Sequence, residues 1–170
     1  MTGIAQVLAD AFGRIGDEVR RVVDGLSTDE LAFRPDVAAN SIAWLIWHLT
    51  RVQDDHVATV AGHEQAWTSS GWAERFGLPL DVADIGYGHD AAQVATVTAD
   101  AAALWGYYQA TSILTTGFVA GLTEIELDRV VDERWDPPVT LGVRLVSVIA
   151  DDLQHVGQAA YLRGLVERRS

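Results

Sequence analysis

The stretch Ser147–Gly164, SVIADDLQHVGQAAYLRG, decides how the rest of the chain is read. Its apolar residues, among them Val148, Ile149, Leu153, Ala159, Ala160 and Leu162, follow a helical rather than a strand-like spacing. Asp151, Asp152 and His155 are set into that apolar run. Asp151 and His155 are four apart, so on a helix they share one face, a turn from each other. Such a pair can hold one metal ion, or it can be an intrahelical ion pair. The residues alone leave both open.

Length and composition bound the answer. The 170 residues fit a single domain, 1–170, and 49% apolar residues suffice for a full core. No apolar run reaches the roughly 20 residues of a membrane span. The start, MTGIAQVLADAFGRIGDE, lacks the basic opening and cleavage site of a secretory peptide, which predicts a cytoplasmic protein. Formal charge is −12, from 24 acidic and 12 basic residues, and every basic residue is Arg. That balance argues against nucleic acid as a partner, because neutralising phosphates requires a basic face. There is no cysteine, so disulfides, thiolate metal sites and cysteine nucleophiles are excluded. Any metal ligand must be His, Asp or Glu.

Upstream, residues 2–25 carry one apolar stripe at i, i+3 and i+4 (Ile4, Val7, Leu8, Ala11, Phe12, Ile15, Val19, Val22), with Thr2 as N-cap and Gly25 as stop. Ser27 and Glu30 fit a capping box for a short turn before Pro35. A second long helix is predicted from a cap at Asn40 or Ser41 to Gly62. It is apolar on nearly every side at its start, and His48 lies within that run. His48 is flanked by Trp44 and Leu45 behind and by Val52 and Asp55 ahead, while His56 points off this line. Residues 63–90 break the periodicity and read as a long loop with short helical pieces. His63 and His89 are expected to be exposed there. A third, alanine-rich helix is predicted over 91–121, then a turn at 123–127, an extended connector and a Pro137-Pro138 break. Thr140 can cap the last helix, which runs to about Glu167. Four long helices and few strand signals predict an all-α four-helix bundle with a long loop between helices two and three. That loop leaves simple up-down-up-down order unassured. Of the six Trp, Trp44, Trp47 and Trp105 read as core, and Trp67, Trp72 and Trp135 as pocket candidates.

Three segments together resemble the DinB-like family of metal-binding four-helix bundles. They are NSIAWLIWHLTRVQDDHV in the second helix, DELAFRPD ahead of it, and DDLQHVGQAAYLRGL in the last helix. The last is similar to that family's ligand-x-x-x-His-x-x-Gln pattern. The resemblance implies a divalent metal held by His48, Asp151 and His155. A carboxylate at the position of Asp151 is similar to the branch that includes mycothiol-dependent maleylpyruvate isomerase, whereas many other members have His there. The family includes thiol S-transferases that use mycothiol, bacillithiol or glutathione, and members without a known activity.

Three ligands suit a catalytic site, since coordination positions stay open. Two His and one carboxylate also describe a non-haem iron centre. Thiol chemistry favours zinc or nickel over manganese or iron. With no cysteine in the chain, the thiol would be a low-molecular-weight cosubstrate, activated by the metal toward a small-molecule electrophile. Asp55, Asp152 and Gln158 are candidates, by spacing, for partners of the imidazoles or the substrate. Asp152 would replace Asp151 as ligand after a fractional rotation of the helix, but i, i+4 pairs converge more closely. The competing reading is a non-catalytic metal-binding or stress-response module acting through ligand binding or as a homodimer, paired by its first or third helix. No Ser-His-Asp arrangement, Gly-rich phosphate loop or glycosidase-like carboxylate pair accompanies these residues.

Overall fold

The structure, a computed structural model, describes residues 3–169. Four long helices dominate it: α1 (Ile4–Val23), α3 (Ile42–Ala61), α7 (Ala101–Ala120) and α9 (Leu141–Glu167). Short helices α2 (Thr28–Leu31), α4 (Ala66–Ser69), α5 (Trp72–Phe76), α6 (Ala91–Thr96) and α8 (Glu124–Leu127) fill the connections. A two-stranded antiparallel ribbon, β1 (Val130–Asp132) with β2 (Val139–Thr140), precedes α9. Among the described residues no helix is long and apolar enough to cross a membrane.

Three of the four long helices, α3, α7 and α9, start where a side chain accepts from one of their first free N–H groups. Ser41 Oγ accepts from Trp44 N at 3.1 Å and Thr140 Oγ1 from Val143 N at 3.3 Å. The Ser27–Glu30 capping box forms on α2, with Ser27 N donating to Glu30 Oε2 at 2.8 Å. At α1 the cap position is Gly3, and the expected cap at Thr2 lies outside the described residues. Gly62 ends α3 with φ +76°, a left-handed conformation that a residue with a Cβ adopts only at a cost.

The third predicted helix is divided. Val97 is extended, and Asp100 caps a new helix by accepting from Ala103 N at 2.7 Å. Asp90 likewise caps α6, accepting from the backbone of Ala92 and Gln93. Two carboxylate caps ten residues apart each begin their own helix, although the alanine-rich composition between them contains no breaker.

The long helices form a ring in which α1 packs on α7, α7 on α3, α3 on α9 and α9 on α1. Consecutive long helices α1 and α3 are therefore diagonal neighbours, not adjacent ones. The stripe Leu8, Phe12, Ile15, Val19 and Val22 faces inward as its spacing predicts. Each such side chain contributes about 1.5–3 kcal/mol by leaving water. In α3 every residue from Ile42 to Asp54 is buried, because the loop covers the side that a peripheral helix would show to solvent.

That cover rests on a buried polar network. Asp54 accepts from Ala66 N (2.9 Å), Trp67 N (2.8 Å) and Tyr107 OH (2.9 Å), so an α3 carboxylate caps α4 from outside. Arg51, fully buried, donates to Gln65 Oε1 at 2.8 Å, to Tyr107 OH at 3.2 Å and to the Asp84 carbonyl at 3.1 Å. Its guanidinium also lies 5.1 Å from the ring centroid of Trp67. Burial raises the Tyr107 hydroxyl well above its ordinary pKa, so it stays a donor to Asp54.

Candidate metal centre

On the α3–α9 seam, His48, Asp151 and His155 each offer a ligand atom, and these atoms lie within 4.8 Å of one another. The His48 and His155 rings meet edge to face with centroids 4.7 Å apart. His155 Nδ1 donates to the carbonyl oxygen of Asp151 at 2.8 Å, a bond that the i, i+4 spacing allows. The same nitrogen is 3.3 Å from Asp151 Oδ2. Since its N–H is directed at the carbonyl, Oδ2 is buried without a hydrogen-bond donor. His48 Nδ1 bonds the carbonyl oxygen of Ile85. A carbonyl only accepts, so both rings carry their proton on Nδ1 and present Nε2 as a lone pair. Two imidazole lone pairs and an orphaned carboxylate oxygen are a donor set that fits a divalent cation.

The loop from Asp84 to His89 is held by one stripe of α3. Trp44, His48 and Arg51 stand at i, i+4 and i+7, and each hydrogen-bonds this loop. Trp44 Nε1 donates to His89 Nδ1 at 3.0 Å, His48 bonds Ile85, and Arg51 bonds Asp84. Within the loop, Asp84 accepts from Gly86 N at 2.7 Å and from His89 Nε2 at 2.9 Å. Trp44 stacks on His48 with centroids 4.6 Å apart, and Trp47 stacks on His89 at 5.9 Å. Gly86 has φ +89°, and a Cβ there would fall 2.7 Å from His48 Nδ1 and 3.0 Å from Trp47. Only glycine lets the backbone come this close to the imidazole.

The site's electrostatics follow from this packing. Burial lowers the pKa of His48, against the Ile85 bond that favours the cation, and the nearby His155 lowers it further. Burial would also lower His155, but its contacts with Asp151 outweigh that and raise it. Burial would raise Asp151, yet the approach of His155 and the charges of His48 and His56 hold it below the ordinary carboxylate value. His48 is thus kept neutral and Asp151 anionic, the forms in which each binds metal.

The other sequence candidates lie elsewhere. Asp152, about 100° round α9 from Asp151, is fully buried near Tyr108, without a partner for either oxygen. Burial, then the charge of Asp151, pushes its pKa well up. Asp55 bonds His56 at 3.1 Å and Gln65 at 2.9 Å, not an imidazole of the centre. Gln158 is exposed and lines a groove between α3 and α9. Backbone carbonyls orient the two imidazoles where side chains were expected. Trp67 is core, 4% exposed, and forms a wall of a shallow cleft with Trp47. Trp72 packs on Tyr107 and beneath Arg75, and Trp135 is 65% exposed in the β1–β2 connection. Trp44 is buried in the core as expected, and its ring also walls the centre by stacking on His48. His89, expected as exposed, has a side chain only 2% exposed, because Trp44, Trp47 and Asp84 enclose it. His63 is half-buried, bonded to the Glu64 carbonyl at 2.8 Å. The roles of Ile85 and Gly86 had no sequence signal beyond a Gly-rich, aperiodic stretch.

Comparison with known proteins agrees with this architecture. A solved structure described as the conserved protein of locus from Enterococcus faecalis is 31% identical, with a TM-score of 0.89 over 98% of each chain. Comparison with curated proteins returns no match. The model of the family described as mycothiol-S-transferase matches residues 7–168. That span contains both centre-bearing helices and the loop between them, and the chain belongs to the DinB-like mycothiol-S-transferase family.

Proposed function

We propose that this chain is a divalent-metal-dependent S-transferase that joins a small-molecule electrophile to a low-molecular-weight thiol of the mycothiol type, acting in the cytoplasm. His48, Asp151 and His155 would hold the metal. The observation that carries this reading is the orphaned Asp151 Oδ2 beside two imidazoles whose Nδ1 protons are already committed. A metal bound there would lower the pKa of a thiol, so that it is a thiolate near neutral pH. Zinc or nickel suits that sulfur chemistry. In the transfer a carbon–sulfur bond forms as the bond from that carbon to its leaving group breaks. The thiol proton passes to solvent, and the leaving group departs with its electron pair.

The chain's own residues prepare this step. Ile85 and the Asp151 carbonyl fix the imidazole tautomers. Trp44 excludes water from one face of His48. No cysteine competes for the metal or the electrophile. The test is metal analysis of protein purified without chelators, with a mycothiol-transfer assay. About one metal per chain is expected, lost in His155→Ala together with transfer. Absence of metal, and no uptake of zinc or nickel, would overturn the proposal.

A further inference from the structure

The outward face of α9 has no neighbour among the described residues. Leu145, Val148, Val156 and Ala159 are fully or nearly buried and turn one side of the helix toward α1 and α3. On the other side Val143, Val146, Ala150, Leu153, Gly157 and Tyr161 are exposed. Their exposed companions between Leu141 and Leu162 are Ser147, Gln154 and Gln158, so this face carries no charge, in a chain with 24 acidic and 12 basic residues. A surface helix ordinarily turns charged residues outward. Helix α1 does so, with Asp10, Arg14, Asp17, Arg20 and Arg21 exposed.

The spacing of this face is that of a seam. Val143, Val146, Ala150, Leu153 and Gly157 recur at alternating steps of three and four, as in a helix that receives a second helix. The seam is complementary to itself when two copies run antiparallel. A two-fold axis between Ala150 and Leu153 sets Leu153 opposite Ala150 of the second copy, Val146 opposite Gly157 and Val143 opposite Ala160. Each layer then pairs a larger side chain with a smaller one, so the helices can approach closely. A parallel pair would set Leu153 on Leu153 and leave a gap at Gly157. The area is sufficient too. Val143, Val146, Leu153 and Tyr161 are 49–67% exposed. With their neighbours on this face they offer roughly 700 Å², close to the ~800 Å² that each partner buries in a standard interface.

We infer that the outward face of α9 receives a second copy of this chain, in an antiparallel two-fold pair centred between Ala150 and Leu153. A chain of formal charge −12 repels its copies over most of its surface, and contact is favourable where the face is uncharged. The charged face of α1 is unsuited to pairing. Helix α7 also lacks charge outward, but Ile113 is its one large exposed apolar side chain, among Ala102, Gln109, Gly117 and Ala120. The inference needs neither metal nor thiol and stands apart from the S-transferase reading. Asp151 directly follows Ala150, so the pair braces the helix that supplies two of the three candidate ligands.

The test is sedimentation equilibrium of the full chain from about 1 μM to 100 μM, where a dimer of micromolar Kd is resolved. Twice the chain mass is expected. Leu153→Glu and Val146→Glu, which place a carboxylate in the seam, are expected to raise the dimer Kd by about a hundredfold or more. Both side chains are exposed, so the fold survives, and circular dichroism checks it. Ile113→Glu on α7 is expected to leave the dimer intact. The register has its own test, since the chain has no cysteine of its own. Under mild oxidation a mixture of Ala150→Cys and Leu153→Cys chains should cross-link faster than either variant alone. A monomer at the highest concentration, or a dimer that Ile113→Glu breaks and the two seam variants do not, would overturn the inference. Fastest cross-linking of either variant with itself would overturn the antiparallel pair.

Discussion

The Nδ1–H of His48 is donated to the carbonyl oxygen of Ile85, and the next residue, Gly86, lies so close that it has no room for a Cβ. One backbone segment therefore sets both the tautomer and the tilt of a candidate ligand. Gly86→Ala should cost about 1–3 kcal/mol, from the positive φ and the contact with His48. It should also weaken metal binding by about tenfold to a hundredfold, the usual effect of disturbing a ligand's outer partner. Thermal unfolding and competitive metal titration measure the two effects separately. Unchanged metal affinity in a destabilised variant would show that the loop does not position the ligand.

Adjacent residues Asp151 and Asp152 should respond oppositely to the same substitution. Asp151→Asn removes the carboxylate from the centre and is expected to abolish metal uptake, with little change in the stability of the metal-free protein. Asp152→Asn should keep the metal. The folded-state pKa of Asp152 is raised above its ordinary 3.8, so folding holds its proton. The stability it contributes is complete below that ordinary value and is lost as pH rises through the raised one. At neutral pH the folded chain therefore bears a cost that asparagine lacks. Asp152→Asn should stabilise at pH 7 by on the order of 1 kcal/mol, roughly 2–4 °C in Tm, and by less at pH 4. Melting curves at the two pH values check it; a gain that grows toward low pH would contradict the sign.

Arg51 ties the bundle core to the loop over His48. Arg51→Ala leaves the buried Asp54 without its cation, which lies 3.8 Å away, and frees the Asp84 carbonyl. A loss of about 3–5 kcal/mol is expected from breaking a buried pair on one side. Tyr107→Phe removes one donor from Asp54 and should cost about 1–2 kcal/mol. Hydrogen exchange should show residues 84–89 opening more readily in Arg51→Ala than in Tyr107→Phe.

Trp44→Phe keeps a ring stacked on His48 but deletes the Nε1–H to His89. The expected result is a folded protein with metal affinity reduced by about tenfold. The nitrogen shifts of the His89 ring should move, reporting its loss of a donor. An unaltered His89 spectrum would mean that the bond does not form in solution.

The bundle was legible because its signals are periodic and local. The stripe from Leu8 to Val22, the caps at Ser41 and Thr140, and the stop at Gly62 each depend on residues within a few positions of one another. Asp151 and His155 were legible for the same reason, and His48 joined them through a family pattern. What escaped depends on contacts across the chain. The bond from Trp44 to His89 spans 45 residues, and that from His48 to Ile85 spans 37. A backbone carbonyl has no letter in a sequence, so no spacing rule could nominate Ile85. The division of the third helix escaped for a local reason: Asp100 reads as one polar residue on an exposed face until its cap bond to Ala103 is seen.

Of the three candidate ligands, one stands on α3 and two on α9, and α3 also carries all three bonds that hold the loop from Asp84 to His89. An ion bound there would act as a rivet through two rods and the plate bolted to one of them. Any agent that draws it out would loosen the longest seam of the bundle at its midpoint. Metal occupancy and melting temperature would then move together by mass action, rising as RT ln(1 + [metal]/Kd). Thermal stability would become a direct gauge of how full the centre is.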